Sequence, residues 1–221
     1  MEHARDAGRH RVFVVDDHPV VQDGLRVLLS ATKDLEVCGG AQNKRAALQG
    51  IDKLAPDLVI IDLRLGDDSG IELIKETRAR FPKLPVLVLS MHDENLYAER
   101  VLRVGANGYV MKGEPTRVLL DGIRSVLAGH VFVSGKMTEL AVERLAKGSS
   151  AAPHPMGQLT DRELEVFSML GRGLSTREIA EELGLGMKTV ETHRHNIKRK
   201  LGLKTATDLV HHAILWVERE G

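Results

Sequence analysis

Three acidic residues stand where apolar runs stop. Asp16 and Asp17 follow Val12-Phe13-Val14-Val15, and Asp62 follows Leu58-Val59-Ile60-Ile61. Ser90 ends a third run, Val86-Leu87-Val88-Leu89, and Lys112 ends a weaker one over residues 108–112. Short, β-branched runs of this kind read as buried strands of a parallel sheet. Such sheets place their chemistry at the carboxyl ends of the strands. The pattern therefore predicts three carboxylates, one hydroxyl and one ammonium gathered at one edge. Carboxylates brought that close repel unless a cation joins them, and an oxygen-only set with water favours Mg2+. Mg2+ and a nearby Lys would also neutralise an incoming phosphoryl group. An Asp in that setting can act as nucleophile and carry an aspartyl phosphate. A single Asp at a strand end is usually only a solvated cap; agreement across five segments favours chemistry.

A second set lies in the last third of the chain. Residues 175–183 and 187–201 read as two helices joined by Gly184-Leu185-Gly186, a turn that suits a helix-turn-helix. Thr160-Asp161-Arg162-Glu163 and Ser175-Thr176-Arg177-Glu178 are capping boxes. At about 100° per residue, Val190, Ile197 and Leu201 share one helix face. Lys188, Thr192, His195 and Arg199 take the opposite face, flanked by Glu191 and Asn196. From Lys188 to Lys204 there are six Lys or Arg against one acid, a local excess that attracts phosphate. The formal net charge of zero excludes only a uniformly basic coat. In a major groove, Lys188, Glu191, Thr192 and His195 would face base edges, with Lys suited to guanine, Glu to cytosine and Thr to a thymine methyl. Thr189, His193, Lys198 and Arg199 are better placed for phosphates, with His193 alternatively a packed edge residue. A solvated charged face is the plainer reading of such a helix. The capped helix and Gly turn before it weigh against that.

Positioning these groups takes two kinds of domain. Over residues 11–130, strand runs alternate with helical stripes such as Val21, Leu25, Leu28, Leu29 and Leu119, Ile123, Val126, Leu127. That alternation predicts an α/β domain with a doubly wound, five-stranded parallel sheet. Residues 1–10 read as a tail and 131–157 as a linker, with a helix expected over 137–147. Residues 158–221 read as a smaller all-α domain, ending in a helix over 205–217 with Leu209, Ala213, Trp216 and Val217 on one stripe. His211 and His212 are adjacent on that helix and share no face, so no metal spacing is seen there. The single cysteine, Cys38, cannot form an intramolecular disulfide, which points to the cytoplasm. No apolar run approaches the roughly 20 residues of a membrane helix, and the first residues lack a signal-peptide core.

Val14-Val15-Asp16-Asp17-His18-Pro19, Ile60-Ile61-Asp62-Leu63, Leu89-Ser90-Met91-His92-Asp93 and Gly105-Ala106-Asn107-Gly108-Tyr109-Val110-Met111-Lys112 resemble the receiver domain of two-component response regulators. Leu159-Thr160-Asp161-Arg162-Glu163-Leu164-Glu165-Val166, Ile179-Ala180-Glu181-Glu182-Leu183 and Lys188-Thr189-Val190-Glu191-Thr192-His193 resemble the LuxR-type helix-turn-helix. Together they resemble a NarL/FixJ-type response regulator. The resemblance implies that Asp62 is the phosphoryl acceptor and Asp17 a direct Mg2+ ligand. Asp16 would contribute directly or through water, and the backbone carbonyl of Arg64 would be a further ligand. Ser90 and Lys112 would bind the phosphoryl oxygens, and Tyr109 would be the aromatic that moves inward on activation. It also implies a sensor histidine kinase as donor, and double-stranded DNA read in the major groove at paired half-sites. A homodimer is implied when phosphorylated or on DNA, with a contact along the last helix. The receiver would promote only its own phosphorylation and dephosphorylation, so the chain would not be a turnover enzyme.

Four positions depart from the pattern. Gly66 stands where receivers usually have Pro and is expected to loosen the loop after Asp62. Arg64 and His92, two residues past Asp62 and Ser90, either crowd or polarise attacking water and so tune the lifetime of the acyl phosphate, or are ordinary solvated loop residues. Gly186 replaces the usual Ser cap, at a cost of about a few tenths of a kcal/mol. Two rival readings remain. An aspartyl-nucleophile phosphatase would carry a general-acid Asp two residues after the nucleophile, where this chain has Arg64. A constitutive DNA binder with a docking-only receiver would have no need of all five edge groups.

Overall fold

The apolar runs pair side by side. In the computed structural model, which describes residues 8–66, 68–91, 94–135, 137–138 and 158–220, the chain divides into two units, Met1–Val142 and Glu143–Gly221. In the first unit, β1 (His10–Val15), β2 (Leu35–Ala41), β3 (Leu58–Ile61), β6 (Val86–Ser90) and β7 (Gly108–Met111) form one parallel sheet in the order β2-β1-β3-β6-β7. Helices α1 (Pro19–Ser30), α2 (Lys44–Leu54), α3 (Gly70–Arg80), α4 (Glu94–Arg103) and α5 (Thr116–Leu127) connect the strands. The residues of β3 and β6 are buried throughout, as expected of strands covered on both faces. Val12, Val14, Ile60 and Leu87 meet Leu25, Leu29, Ile123 and Val126 in the core. Both helical stripes read from the sequence therefore face the sheet.

Between β3 and α3 lies a short antiparallel hairpin, β4 (Arg64–Leu65) with β5 (Asp68–Ser69). Strands of two residues are too short to leave an alternation signal. The first residues of the expected linker also depart from expectation. Phe132 bridges Gly108, the Tyr109 N–H donates to the Phe132 carbonyl at 2.8 Å, and the Ser134 N–H donates to Glu94 Oε1 at 2.7 Å. Residues 132–134 therefore fold back onto the sheet, because the Phe132 ring packs on the core. Residues 1–7, the rest of the linker and most of the helix expected over 137–147 lie outside the described residues.

The second unit holds α6 (Asp161–Gly171), α7 (Thr176–Glu182), α8 (Met187–Leu201) and α9 (Ala206–Glu220). Both capping boxes form, Thr160 with Glu163 and Ser175 with Glu178. Leu209, Ala213 and Trp216 are buried, and the Trp216 ring lies 5.4 Å from that of Phe167. The stripe expected to serve a dimer thus packs α9 onto α6. Among the described residues, no helix is long and apolar enough to cross a membrane.

Candidate functional site

Strand geometry delivers the edge groups. The Asp62 N–H donates to the Val15 carbonyl and the Asp16 N–H to the Ala41 carbonyl, so both acids sit one step past their strands. The Lys112 N–H donates to the Ser90 carbonyl at 2.8 Å, which holds that lysine at the end of β7. Lys112 Nζ then lies 2.6 Å from Asp16 Oδ2 and 2.6 Å from Asp62 Oδ2. The two carboxylates are 3% and 5% exposed, so a shared ammonium is the least costly neutralisation. Burial pushes the Lys112 ammonium toward release of its proton, but its bonds to Asp16 and Asp62 outweigh this and leave its pKa raised. Gly70 lets α3 approach from below: a Cβ there would stand 2.2 Å from the Asp62 carbonyl oxygen.

Asp17 is held differently. Its Oδ2 accepts the Gly66 N–H at 3.0 Å, while its Oδ1 is shielded from solvent and receives no hydrogen bond. One donor atom each from Asp16, Asp17, His18 and Asp62 falls within a span of 4.8 Å. An anionic oxygen shielded from solvent, with no hydrogen bond beyond an ion-pair contact to His18 Nδ1 at 2.9 Å and beside two further carboxylates, fits a hard divalent cation. Gly66 corrects the expectation of a loosened loop. It turns the β4–β5 hairpin at φ 62, and its N–H ties the hairpin to Asp17. Proline could neither adopt that angle nor donate. Asp68 adds a second tie by accepting the Lys44 N–H at 2.9 Å.

Of the other expected residues, Ser90 is buried at the end of β6, and the Arg64 N–H approaches Asp62 Oδ1 at 3.4 Å from β4. Tyr109, expected to move inward, already has its ring inside, at 1% exposure. His92 lies outside the described residues. Sequence reasoning missed His18, whose Nδ1 lies 2.9 Å from Asp17 Oδ1 and 3.1 Å from Asp16 Oδ1. Its adjacency to the two acids was the available signal, but adjacency does not fix a ring's direction.

On α8, Lys188, Thr189, Glu191, Thr192, His195 and Arg199 are exposed, while Val190 and Ile197 are buried. His193 and Lys198 are half-buried. Burial pushes the His193 imidazole below its ordinary pKa, which favours a neutral, packed ring over a phosphate contact. Two of the cations counted from sequence turn inward. Lys200 Nζ lies 2.5 Å from Glu163 Oε2, and Arg194 bonds Thr176 Oγ1 and pairs with Glu191 at 3.5 Å. Thr176 Oγ1 also donates to Glu191 Oε1 at 2.9 Å, so Glu191 braces α7 against α8 in addition to any role toward bases.

Known proteins share both halves. Residues 12–124 match the family model for the response regulator receiver domain, and residues 157–213 that for bacterial regulatory proteins of the luxR family. The oxygen regulatory protein NreC of Staphylococcus aureus is 34% identical over 209 residues, covering 92% of this chain and 96% of NreC. RcsB from Salmonella enterica serovar Typhimurium, bound to promoter P1flhDC in the presence of the phosphomimetic BeF3-, is 26% identical with a TM-score of 0.60, covering 93% of this chain and 98% of that one. A structure of two RcsB dimers bound to two parallel DNAs gives a TM-score of 0.55 at 26% identity, covering 92% and 97%. The chain belongs to the NarL/FixJ-type response regulators, transcription factors that join a receiver domain to a LuxR-type DNA-binding domain.

Proposed function

We propose that this regulator accepts a phosphoryl group on Asp62 from a sensor histidine kinase and in response binds DNA through α8. The observation that carries the reading is the sealed Asp62 carboxylate, bonded to Lys112 and clustered with Asp16 and Asp17. An Asp62 oxygen attacks phosphorus, the bond from phosphorus to the donor imidazole breaks, and the departing imidazole takes up a proton. Lys112 Nζ, already 2.6 Å from Asp62 Oδ2, follows the charge onto a phosphoryl oxygen. The Ser90 hydroxyl, at the end of the neighbouring strand, donates to another. Asp16 and Asp17, with Asp62 and the Arg64 carbonyl, would hold Mg2+, which supplies positive charge to the transferring oxygens. Tyr109, packed inside β7, carries the change toward α4. The receiver promotes its own phosphorylation and dephosphorylation and turns over no outside substrate; Arg64 stands where a phosphatase has its general-acid Asp, and its guanidinium holds its protons too tightly to supply one to a leaving group.

On DNA, Lys188, Glu191, Thr192 and His195 face base edges in the major groove. Thr189, Lys198 and Arg199 meet phosphates, and His193 packs at the rim. RcsB binds DNA as dimers, which supports a homodimer on paired half-sites here. The DNA target supports a cytoplasmic location.

The test treats wild type and Asp62→Ala with Mg2+ and a small acyl-phosphate donor and reads intact mass. One added phosphoryl group in wild type and none in the variant is expected, with tighter DNA binding by the phosphorylated form. Addition to both would mean another acceptor. No addition to wild type, or equal DNA affinity in both states, would favour the docking-only receiver.

A further inference from the structure

Glu191 is the one acid from Lys188 to Lys204. Left in water on a basic helix, such a side chain would wander among rotamers and repel the DNA backbone. Here it is held. Thr176 Oγ1, at the first position of α7, donates to Glu191 Oε1 at 2.9 Å. Arg194 Nη1 donates to the same hydroxyl and lies 3.5 Å from Glu191 Oε1. A hydroxyl has one proton to give, and with Arg194 on its acceptor side that proton is directed at Glu191. The Arg194 side chain is 18% exposed and that of Glu191 59%, so the bonds are anchored inward while the carboxylate emerges. Its second oxygen, Oε2, meets no donor among the described residues.

We propose that Thr176 is a positioning residue for sequence choice: it fixes one oxygen of Glu191 so that the other accepts from the amino group of cytosine in the major groove. The inference rests on the proposed reading of base edges by α8. Fixing the side chain before DNA arrives removes an ordering cost from binding. It also holds a single carboxylate oxygen in register with one cytosine N4. Arg194, beside the carboxylate, offsets its repulsion of nearby phosphates. Through Thr176, α7 shares in setting which base α8 selects.

The test uses the full chain, treated with Mg2+ and a small acyl-phosphate donor, on a pool of duplex DNA of randomised sequence. Sequencing the bound fraction reports base preference at each position. Wild type is expected to prefer cytosine at one position of each half-site, and Glu191→Ala should lower that preference about tenfold. Thr176→Val keeps the volume and removes the hydroxyl. It should lower the same preference about threefold or more and leave other positions and the melting temperature unchanged. Thr176→Ser should restore the preference, and Thr176→Ala repeats the comparison without a β-branched group. Full cytosine preference in Thr176→Val would overturn the positioning role and leave Glu191 as a reader; the three side chains would then be only a brace between helices. A general loss of affinity with that preference intact, or a loss that Thr176→Ser does not repair, would overturn it equally. If Glu191→Ala altered no preference, Glu191 would not be a reader at all. A wild type that enriches no sequence would remove α8 as the base-reading element, and this inference with it.

Discussion

At the sheet edge, Asp16 and Asp62 are almost sealed from water and share one ammonium. On α8, Lys188, Thr192, His195 and Arg199 stand in solvent. The first region concentrates like charge where the dielectric is low, so its geometry is fixed and its stability is compromised. The second displays charge where water screens it, so it costs the fold little. Group transfer needs reacting atoms held in place before the donor arrives. Reading DNA needs groups that can leave water for phosphate and base edges. The two regions should therefore respond to mutation in opposite ways.

The largest expected effect lies at the edge. Lys112→Met leaves two buried carboxylates without their cation, and breaking such a pair costs about 3 kcal/mol or more. Urea unfolding of the first unit, followed in metal-free buffer at neutral pH, should shift by that amount. Millimolar Mg2+ should recover part of the loss, since it replaces the missing charge. An unchanged midpoint without metal would mean that the edge carries no such tension.

A smaller effect is expected inside the helical unit. Burial pushes the Glu163 carboxyl up, but Lys200 and the Thr160 cap outweigh burial and hold its pKa below the ordinary 4.5. The folded state thus binds fewer protons than the unfolded state as pH falls past 4.5. The stabilisation is fully present above that value and is lost as pH drops through the lower, folded one. Lys200→Met should cost roughly 1–2 kcal/mol at pH 7. The gap between variant and wild-type melting curves should narrow as the solution is acidified below 4.5. A gap that stays constant would assign the loss to packing of the lysine stem.

The edge was legible in sequence because burial on both faces marks where a strand stops, and Asp16, Asp17, Asp62, Ser90 and Lys112 are tied to those stops. The exposed face of α8 was legible because Val190 and Ile197 fix the phase of the helix. What was not legible depends on where a single group points. Gly66 looked like added freedom, yet its N–H binds Asp17. His18 was read only as part of a motif, because nothing in a linear pattern turns a ring toward its neighbours. Lys200 was counted with the free cations of α8, although its partner Glu163 lies 37 positions earlier. The packing of the α9 stripe onto α6 was open in the sequence for a related reason. Apolar periodicity shows that a face is covered and does not say by what.

The recognition face should show the smallest effect on stability and a clear effect on binding. Lys188 and Arg199 are both exposed, and exposed substitutions away from caps and cores change stability by less than about 0.5 kcal/mol. Lys188→Ala and Arg199→Ala should therefore melt with wild type. Both should weaken DNA binding, but in different ways. Arg199, placed for a phosphate, should weaken all sequences alike and lower the slope of log affinity against log salt by about one. Lys188, placed for a base edge, should relax preference at one position by about 1–3 kcal/mol and change the salt slope less. A loss at Arg199 confined to one base position would exchange the two roles. A drop in melting temperature for either variant would show that this face also holds the fold together, and would erase the contrast with the sheet edge.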